Sequence, residues 1–214
     1  MIELKKTRWD DITINDYREI VDITKQELDS DLEKSISILS VLCECSEDDL
    51  YSMNVNRLNK LLAEIEWIKQ PYTFNKNWNH KHIVIDGVKY DVVVDINKFS
   101  VAQYADLQIY WDKRDDINYM GKLLTLFIIP AGKTYNNDYD IVKLADVIED
   151  NVSINDFNSI CFFFLKSCLI SIKASLLYSN WKIMKMIRKE KNQVKKEQLK
   201  EIQKKLLMQI RTIG

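Results

Sequence analysis

Apolar residues recur at helical spacing along most of this chain and switch to strict alternation in one place. Tyr17, Ile20, Val21 and Ile23 repeat at three- and four-residue intervals, which predicts a first helix starting at Thr13. A second helix is expected over about 31–44, with Leu32, Ile36, Leu39, Ser40 and Cys43 on one side. Residues 46–53 predict a short helix. Residues 55–69 predict a longer one carrying Leu58, Leu61, Leu62, Ile65 and Trp67 or Ile68, ended by Pro71.

The alternating stretch is His80 to Asp95. Two β-branched runs flank Asp86-Gly87, the strongest short-range hairpin signal, so a β-hairpin is expected over about 81–95. Tyr90, Val92 and Val94 alternate with Lys89, Asp91 and Asp95, giving one buried and one wet face. An isolated hairpin is only marginally stable, so this one must lie on the helices or pair with a neighbouring subunit.

Helical spacing then resumes. One helix is expected from Ser100 to about Trp111, and another, after the charged break at 112–116, ending near Ile129. A loop is expected over 130–137, a short helix over 141–149 and a long one over 153–178. From Trp181 a single basic helix is expected, with Ile183, Ile187, Val194, Leu199, Ile202, Leu206 and Ile210 as its apolar stripe. That stripe is Gln- and Lys-rich and imperfect, which suits a helix needing a partner better than a long coiled coil.

One helix-start phrase occurs three times: Ile12 to Tyr17, Phe99 to Tyr104, and Val152 to Phe157. In each, a Thr or Ser is placed to cap a helix, and an Asp or Gln three residues on can reach back to the cap's N–H. An apolar residue before the cap is placed to staple onto an aromatic at the fourth helical position. Residues 45–50, with Ser46 and Asp49, form a looser fourth copy.

Composition narrows the class. The 214 residues are 46% hydrophobic and 29% charged, with only four Gly and two Pro to make turns. That scarcity favours helices and short connections. The expected architecture is mainly α with a small inserted β-hairpin: a helical domain over 1–180 and a basic helical extension over 181–214. Four Cys without a signal-like N-terminus suggest reduced thiols inside a cell. The net charge of −1 hides an asymmetry. Residues 181–214 hold eleven Lys and Arg against three Glu, net +8, and the remainder is net −9. An acidic body with a basic end suggests self-association or an anionic partner.

Residues 157–178 are apolar enough to raise a membrane span. Lys166 and Lys173 interrupt them, and the longest charge-free run falls short of the roughly 20 residues a bilayer needs. A buried or partner-facing helix is therefore expected, with no membrane contact.

Candidate chemistry is sparse. Ala131-Gly132-Lys133-Thr134 ends like a phosphate-binding loop, but that motif needs a Gly where Phe127 stands, so a plain turn is expected. His80 and His82 with Cys43 and Cys45 make four potential zinc ligands, but neither pair has zinc-site spacing. Cys43 and Cys45 are also expected on different sides of a helix. No Ser-His-Asp or Cys-His set is available, because both His lie in one segment. Glu64, Glu66, Asp115 and Asp116 look like solvated charges. Asp138 and Asp140 lack the Gly and closing Glu of a calcium loop. No catalytic residue, metal or cofactor is expected. The residues expected to meet a partner are Trp111, Trp181, Lys185, Arg188, Lys195, Lys196 and Lys200, with Trp78 and Tyr110 as further aromatic anchors. Nucleic-acid contact through the basic end is a weaker reading, since Trp181 is its only aromatic.

The order of these elements resembles a family. Trp9 to Tyr17, Ile38 to Cys43 with Ser46 to Leu50, Ile85 to Tyr90 leading into Ser100 to Leu107, and Phe127 to Tyr135 look like small structural and tail-assembly proteins of tailed bacteriophages, the crAss-like gut phages above all. The likeness covers about residues 1–180. It implies a non-enzymatic virion or morphogenesis protein: a subunit of a head-to-tail connector or tail ring, or a tail-assembly chaperone absent from finished particles. Its partners would be other copies of itself and other tail or portal proteins, in the virion or, during assembly, in the host cytoplasm.

Overall fold

The computed structural model describes residues 2–27, 30–70, 81–113, 116–135 and 138–212. It is 70% helical with one small antiparallel sheet, the mainly α architecture with a hairpin that the sequence predicts. Two compact units divide the chain. One runs up to Val93 and resumes over Phe99–Cys161; the other joins Val94–Lys98 to the residues from Phe162 onward.

The first unit holds α1 (Ile14–Lys25), α2 (Asp31–Cys43), α3 (Glu47–Tyr51), α4 (Val55–Glu64), α5 (Val101–Trp111), α6 (Met120–Leu124), α7 (Ile141–Asn151) and the start of α8 (Ile154–Lys189). It also holds the strands β1 (His82–Ile85), β2 (Val88–Val92) and β3 (Ile128–Pro130), in the order β1-β2-β3. The remainder of α8 and all of α9 (Gln193–Thr212) belong to the second unit.

The repeated phrase sets the helix starts. Thr13, Ser46 and Ser100 each close a full capping box with Asp16, Asp49 and Gln103. Ser153 receives the N–H of Asp156 at 3.0 Å and donates its own hydroxyl to that carboxylate. Two copies of the phrase also clasp each other. Ile14 N–H donates to the Val152 carbonyl at 3.1 Å, and Ile154 N–H to the Ile12 carbonyl at 2.8 Å. Asn15 donates to Asp150 at 3.1 Å, and its counterpart Asn155 donates to Asp10 at 2.6 Å. The starts of α1 and α8 thus meet with a local two-fold relation, over the buried side chains of Ile12, Ile14, Val152 and Ile154.

Gln103 explains why the phrase around Ser100 departs from the Asp of the others. Its Oε1 accepts the Ser100 N–H at 2.9 Å, while its Nε2 donates to the Leu126 carbonyl at 3.0 Å. An Asp there could complete the box but not supply the donor. Phe99, before this cap, packs its ring on buried Phe127 with centroids 5.9 Å apart.

The hairpin turns at Asp86 and Gly87, both at positive φ (50° and 76°), the signature of the tight turn that Asp-Gly predicts. Its second strand is shorter than expected and ends at Val92, and the sheet has a third strand. Residues 126–129, expected to end a helix, leave it after Leu124. Ile128 and Ile129 then pair with Val92 and Asp91. Leu126 to Ile129 are all buried, and a short wholly apolar run reads the same whether it is a buried strand or a buried helix. The need of β2 for a partner decides it. So the hairpin's neighbour comes from its own chain.

Three other boundaries move. Helix α4 stops at Glu64 and continues as a 3-10 turn over Glu66–Lys69; Pro71 lies outside the described residues. Helix α8 does not stop at Tyr178 but runs to Lys189. With no Gly or Pro between 178 and 189, nothing there breaks it. The basic end is therefore not one helix. Asn192 accepts the Lys195 N–H at 3.2 Å near the start of α9, so the expected stripe divides between two helices.

Gly121, in α6, faces the side chain of Glu149, which Arg18 holds at 2.7 Å. A Cβ at 121 would overlap that side chain, so a larger residue would push Glu149 aside and disturb its contact with Arg18.

The double use of Gln103 is testable by equilibrium denaturation. Gln103→Ala removes a box partner, costing about 1 kcal/mol, and orphans a buried carbonyl, costing about 1–3 kcal/mol more. A loss below that of an ordinary surface substitution would show that the Leu126 contact contributes nothing.

Candidate functional site

Among the described residues, helix α8 carries the most exposed large apolar side chains. Ile160 and Phe164 are buried, but beyond them Leu165, Leu169, Ile170, Ile172, Leu177, Tyr178 and Trp181 are between 43% and 62% exposed. The expectation of a buried helix therefore fails after Phe164, and a partner-facing one remains open. An 18-residue stretch reaches a mean hydropathy of 1.9 with 11% of it buried, so α8 is long and apolar enough to cross a membrane by length and composition.

Helical spacing sorts these residues. Ile170, Leu177, Trp181 and Arg188 lie seven, eleven and eighteen residues apart, on one face, with Lys166 and Lys173 beside them. The Tyr178 and Trp181 rings stack at 5.9 Å, and the Lys185 ammonium sits 5.1 Å from the Trp181 ring. This face is apolar along its middle and cationic along its edges. A second side of α8 meets α9. Gln203 donates to Asn180 at 3.1 Å, so the two helices run antiparallel about the break at 190–192. Leu199, Gln203, Leu206 and Ile210 face inward at partial burial, while Val194, Ile202 and Met208 stay exposed. At the head of the unit, Ser171 donates to Asn97 at 3.1 Å.

Charge separates the units more sharply than the division at residue 181 suggested. The second unit carries fourteen Lys and Arg against four Asp and Glu, net +10. The first carries seventeen against twenty-eight, net −11.

Of the residues expected at an interface, Trp181, Lys185 and Arg188 share α8, and Lys195, Lys196 and Lys200 share α9. Lys195 and Lys200 are exposed, the latter 2.8 Å from Glu197. Trp111 ends α5 in the first unit, and Tyr110 there meets the Tyr119 ring at 6.5 Å. Trp78 lies outside the described residues. Ile170, Leu177, Lys166 and Lys173 fall in the segment expected to be buried or partner-facing, but are not among the contact residues that the sequence singles out. They share the spacing of Trp181 and Arg188, and that continuity across residue 178 was the available signal.

The remaining motifs are occupied structurally. Pro130 to Lys133 is a turn closed by Lys133 N–H to the Pro130 carbonyl at 2.9 Å, with Gly132 at φ 76°. Asp138 accepts the Thr134 N–H, and Asp140 caps α7. His82 pairs across the hairpin with Asp91 at 2.7 Å; His80 and Asp115 lie outside the described residues. Glu64 and Glu66 pair with Lys60 and Lys69, and Asp116 caps a 3-10 turn. Among the described residues, no three His, Cys, Asp or Glu side chains are grouped to hold a metal ion. An open depression of about 400 Å³ beside the clasp is lined by Lys5, Lys6, Asp16, Glu44 and Asp150. Its charges are largely spent on each other: Lys6 lies 2.7 Å from Asp16 and 3.3 Å from Glu44.

Cys45 does not continue the helix that carries Cys43: Glu44 turns through the left-handed region (φ 51°) at the end of α2, and the Cys45 thiol stands near enough to act on Cys43. Burial first, then the neighbouring Cys45, pushes the Cys43 thiol up to about 11. Burial also raises Cys45, Cys161 and Cys168. All four thiols therefore stay protonated at neutral pH, the unreactive form.

The chain matches no protein-family model, no curated protein and no solved structure.

The raised Cys43 thiol fixes the sign of an alkaline effect. Its folded-state pKa lies above the unfolded value of about 8.5, so the folded state holds the proton more tightly. That stability is whole below about pH 8.5 and is lost as pH rises towards 11. Thermal melts under reducing conditions should show a midpoint falling through this window, with a shallower fall in Cys43→Ala. Equal slopes in the two proteins would contradict the assignment.

Proposed function

We propose that this chain is a non-enzymatic assembly protein that acts through protein–protein contact, with α8 and α9 as its docking element. The observation that carries the reading is the face of Ile170, Leu177 and Trp181, apolar and half-exposed, edged by Lys166, Lys173, Lys185 and Arg188. Contiguous exposed apolar surface of this kind marks interaction sites. The charge division supports contact between copies, because the basic unit of one chain attracts the acidic unit of the next. A head-to-tail contact of that sort closes into a ring when its rotation allows. The resemblance supplies the setting: a connector or tail ring of a tailed phage, with an assembly chaperone as the alternative within the same class.

The apolar stretch of α8 favours one second reading, in which the helix enters a membrane with Tyr178 and Trp181 at the interface and the Lys-rich end outside. Lys166 and Lys173 weigh against it, since each lies within the stretch and carries a desolvation cost.

Sedimentation velocity of the full chain over a concentration series tests the proposal. Association that weakens with added salt is expected. Lys195→Glu/Lys196→Glu/Lys200→Glu should weaken it about tenfold or more while leaving the melting temperature nearly unchanged. A monomer at every concentration would overturn the proposal. A monomer that co-sediments with phosphatidylcholine–phosphatidylglycerol vesicles would establish the membrane reading instead.

A further inference from the structure

We infer that the basic-apolar face of α8 docks on the corner made by α2 and α3 of a second copy of this chain; this rests on the assembly reading and names its acceptor. Two faces of α8 oppose each other by charge. Each second unit is net +10, so a symmetric contact between two α8 faces would bring like charges together at the rim. The acceptor must be acidic and apolar at once.

The first unit offers both on packed neighbours. Helices α2 and α3 are in contact. They present Leu32 at 53% and Tyr51 at 55% exposure, and Val55, at the start of α4, is 67% exposed. Around these stand Asp31 and Glu33 in the first turn of α2 and Glu47, Asp48 and Asp49 in that of α3. Partial desolvation first, then the carboxylates of Glu33 and Glu47, raises the Tyr51 phenol. Asp49 is committed to the Ser46 cap, and Glu47 and Asp48 are exposed.

Other exposed apolar positions of the first unit are poorer matches for a cationic edge. Val84 and Val88 share the hairpin with Lys89, which stands directly opposite Val84. Val101, Tyr104 and Ile109 share α5, whose own acid, Asp106, receives the buried Tyr135 hydroxyl at 2.8 Å. Val142 sits beside Asp140, which caps its own helix. The α2–α3 corner is thus the match for a helix edged by Lys and Arg. The described length of α8 from 162 to 189 spans about 40 Å, enough to lie across such a corner within an interface of ordinary size. Leu177 and Trp181 would cover Tyr51 and Leu32, with Lys185 and Arg188 facing Glu47 and Asp48.

A charge swap tests this, read by sedimentation velocity on the full chain. Lys185→Glu/Arg188→Glu and, separately, Glu47→Lys/Asp48→Lys should each weaken association about tenfold or more. The chain carrying all four changes should return to within about threefold of the original. Matching melting curves for the three variants exclude misfolding as the cause. Association unaffected by Glu47→Lys/Asp48→Lys, or not restored by the fourfold change, would overturn this acceptor while leaving the assembly reading intact. Absence of association in the unchanged chain would overturn the assembly reading itself.

Discussion

Helix α8 imposes the constraint on which the account depends. It runs 36 residues, and apolar side chains lie round much of its circumference. A helix of this kind must be covered on several sides, either by its own protein or by something else. Its start is well provided for: the clasp between the Thr13 and Ser153 phrases fixes where it begins, and Ile154, Phe157 and Ile160 enter the first unit's core. Beyond Phe164 the provision thins. Helix α9 covers one side, the segment around Asn97 another, and the face of Ile170, Leu177 and Trp181 keeps about half its surface in water.

The polar groups of the first unit are spent largely on its own architecture. Asp16, Asp49, Asp140 and Gln103 complete helix starts, Asp10 and Asp150 receive the clasp asparagines, and Arg18 holds Glu149 against Gly121. His82 and Asp91 satisfy each other. Among the described residues, His82, Asp116, Asp138 and Asp140 each have a structural partner within hydrogen-bonding distance. The charges left over are carboxylates on the first unit and ammonium and guanidinium groups on the second, and these suit recognition over long contacts.

Much of the fold was legible because caps and tight turns depend on local chemistry. Thr13, Ser46 and Ser100 open helices where the repeated phrase places them, and Asp86-Gly87 makes the expected hairpin. Strand β3 was illegible because Leu126 to Ile129 are uniformly apolar, so period carries no information and only the edge of β2 decides. The joint between α8 and α9 was expected between 178 and 181, whereas Asn180 lies inside α8 and accepts from Gln203, and the break falls after Lys189. At the candidate site, Trp181, Lys185 and Arg188 stood out through charge and aromatic character. Ile170 and Leu177 did not, since exposure of an apolar residue is a tertiary property that spacing alone does not reveal.

A benzophenone photo-crosslinker at position 177 reports what covers the exposed face of α8. Irradiation of the full chain, followed by peptide mapping, identifies whatever touches the exposed face of α8. The account predicts a product of twice the chain mass, joined to a peptide within residues 31–55 of a second copy. Cross-links confined to a single chain, or to added lipid, would contradict it.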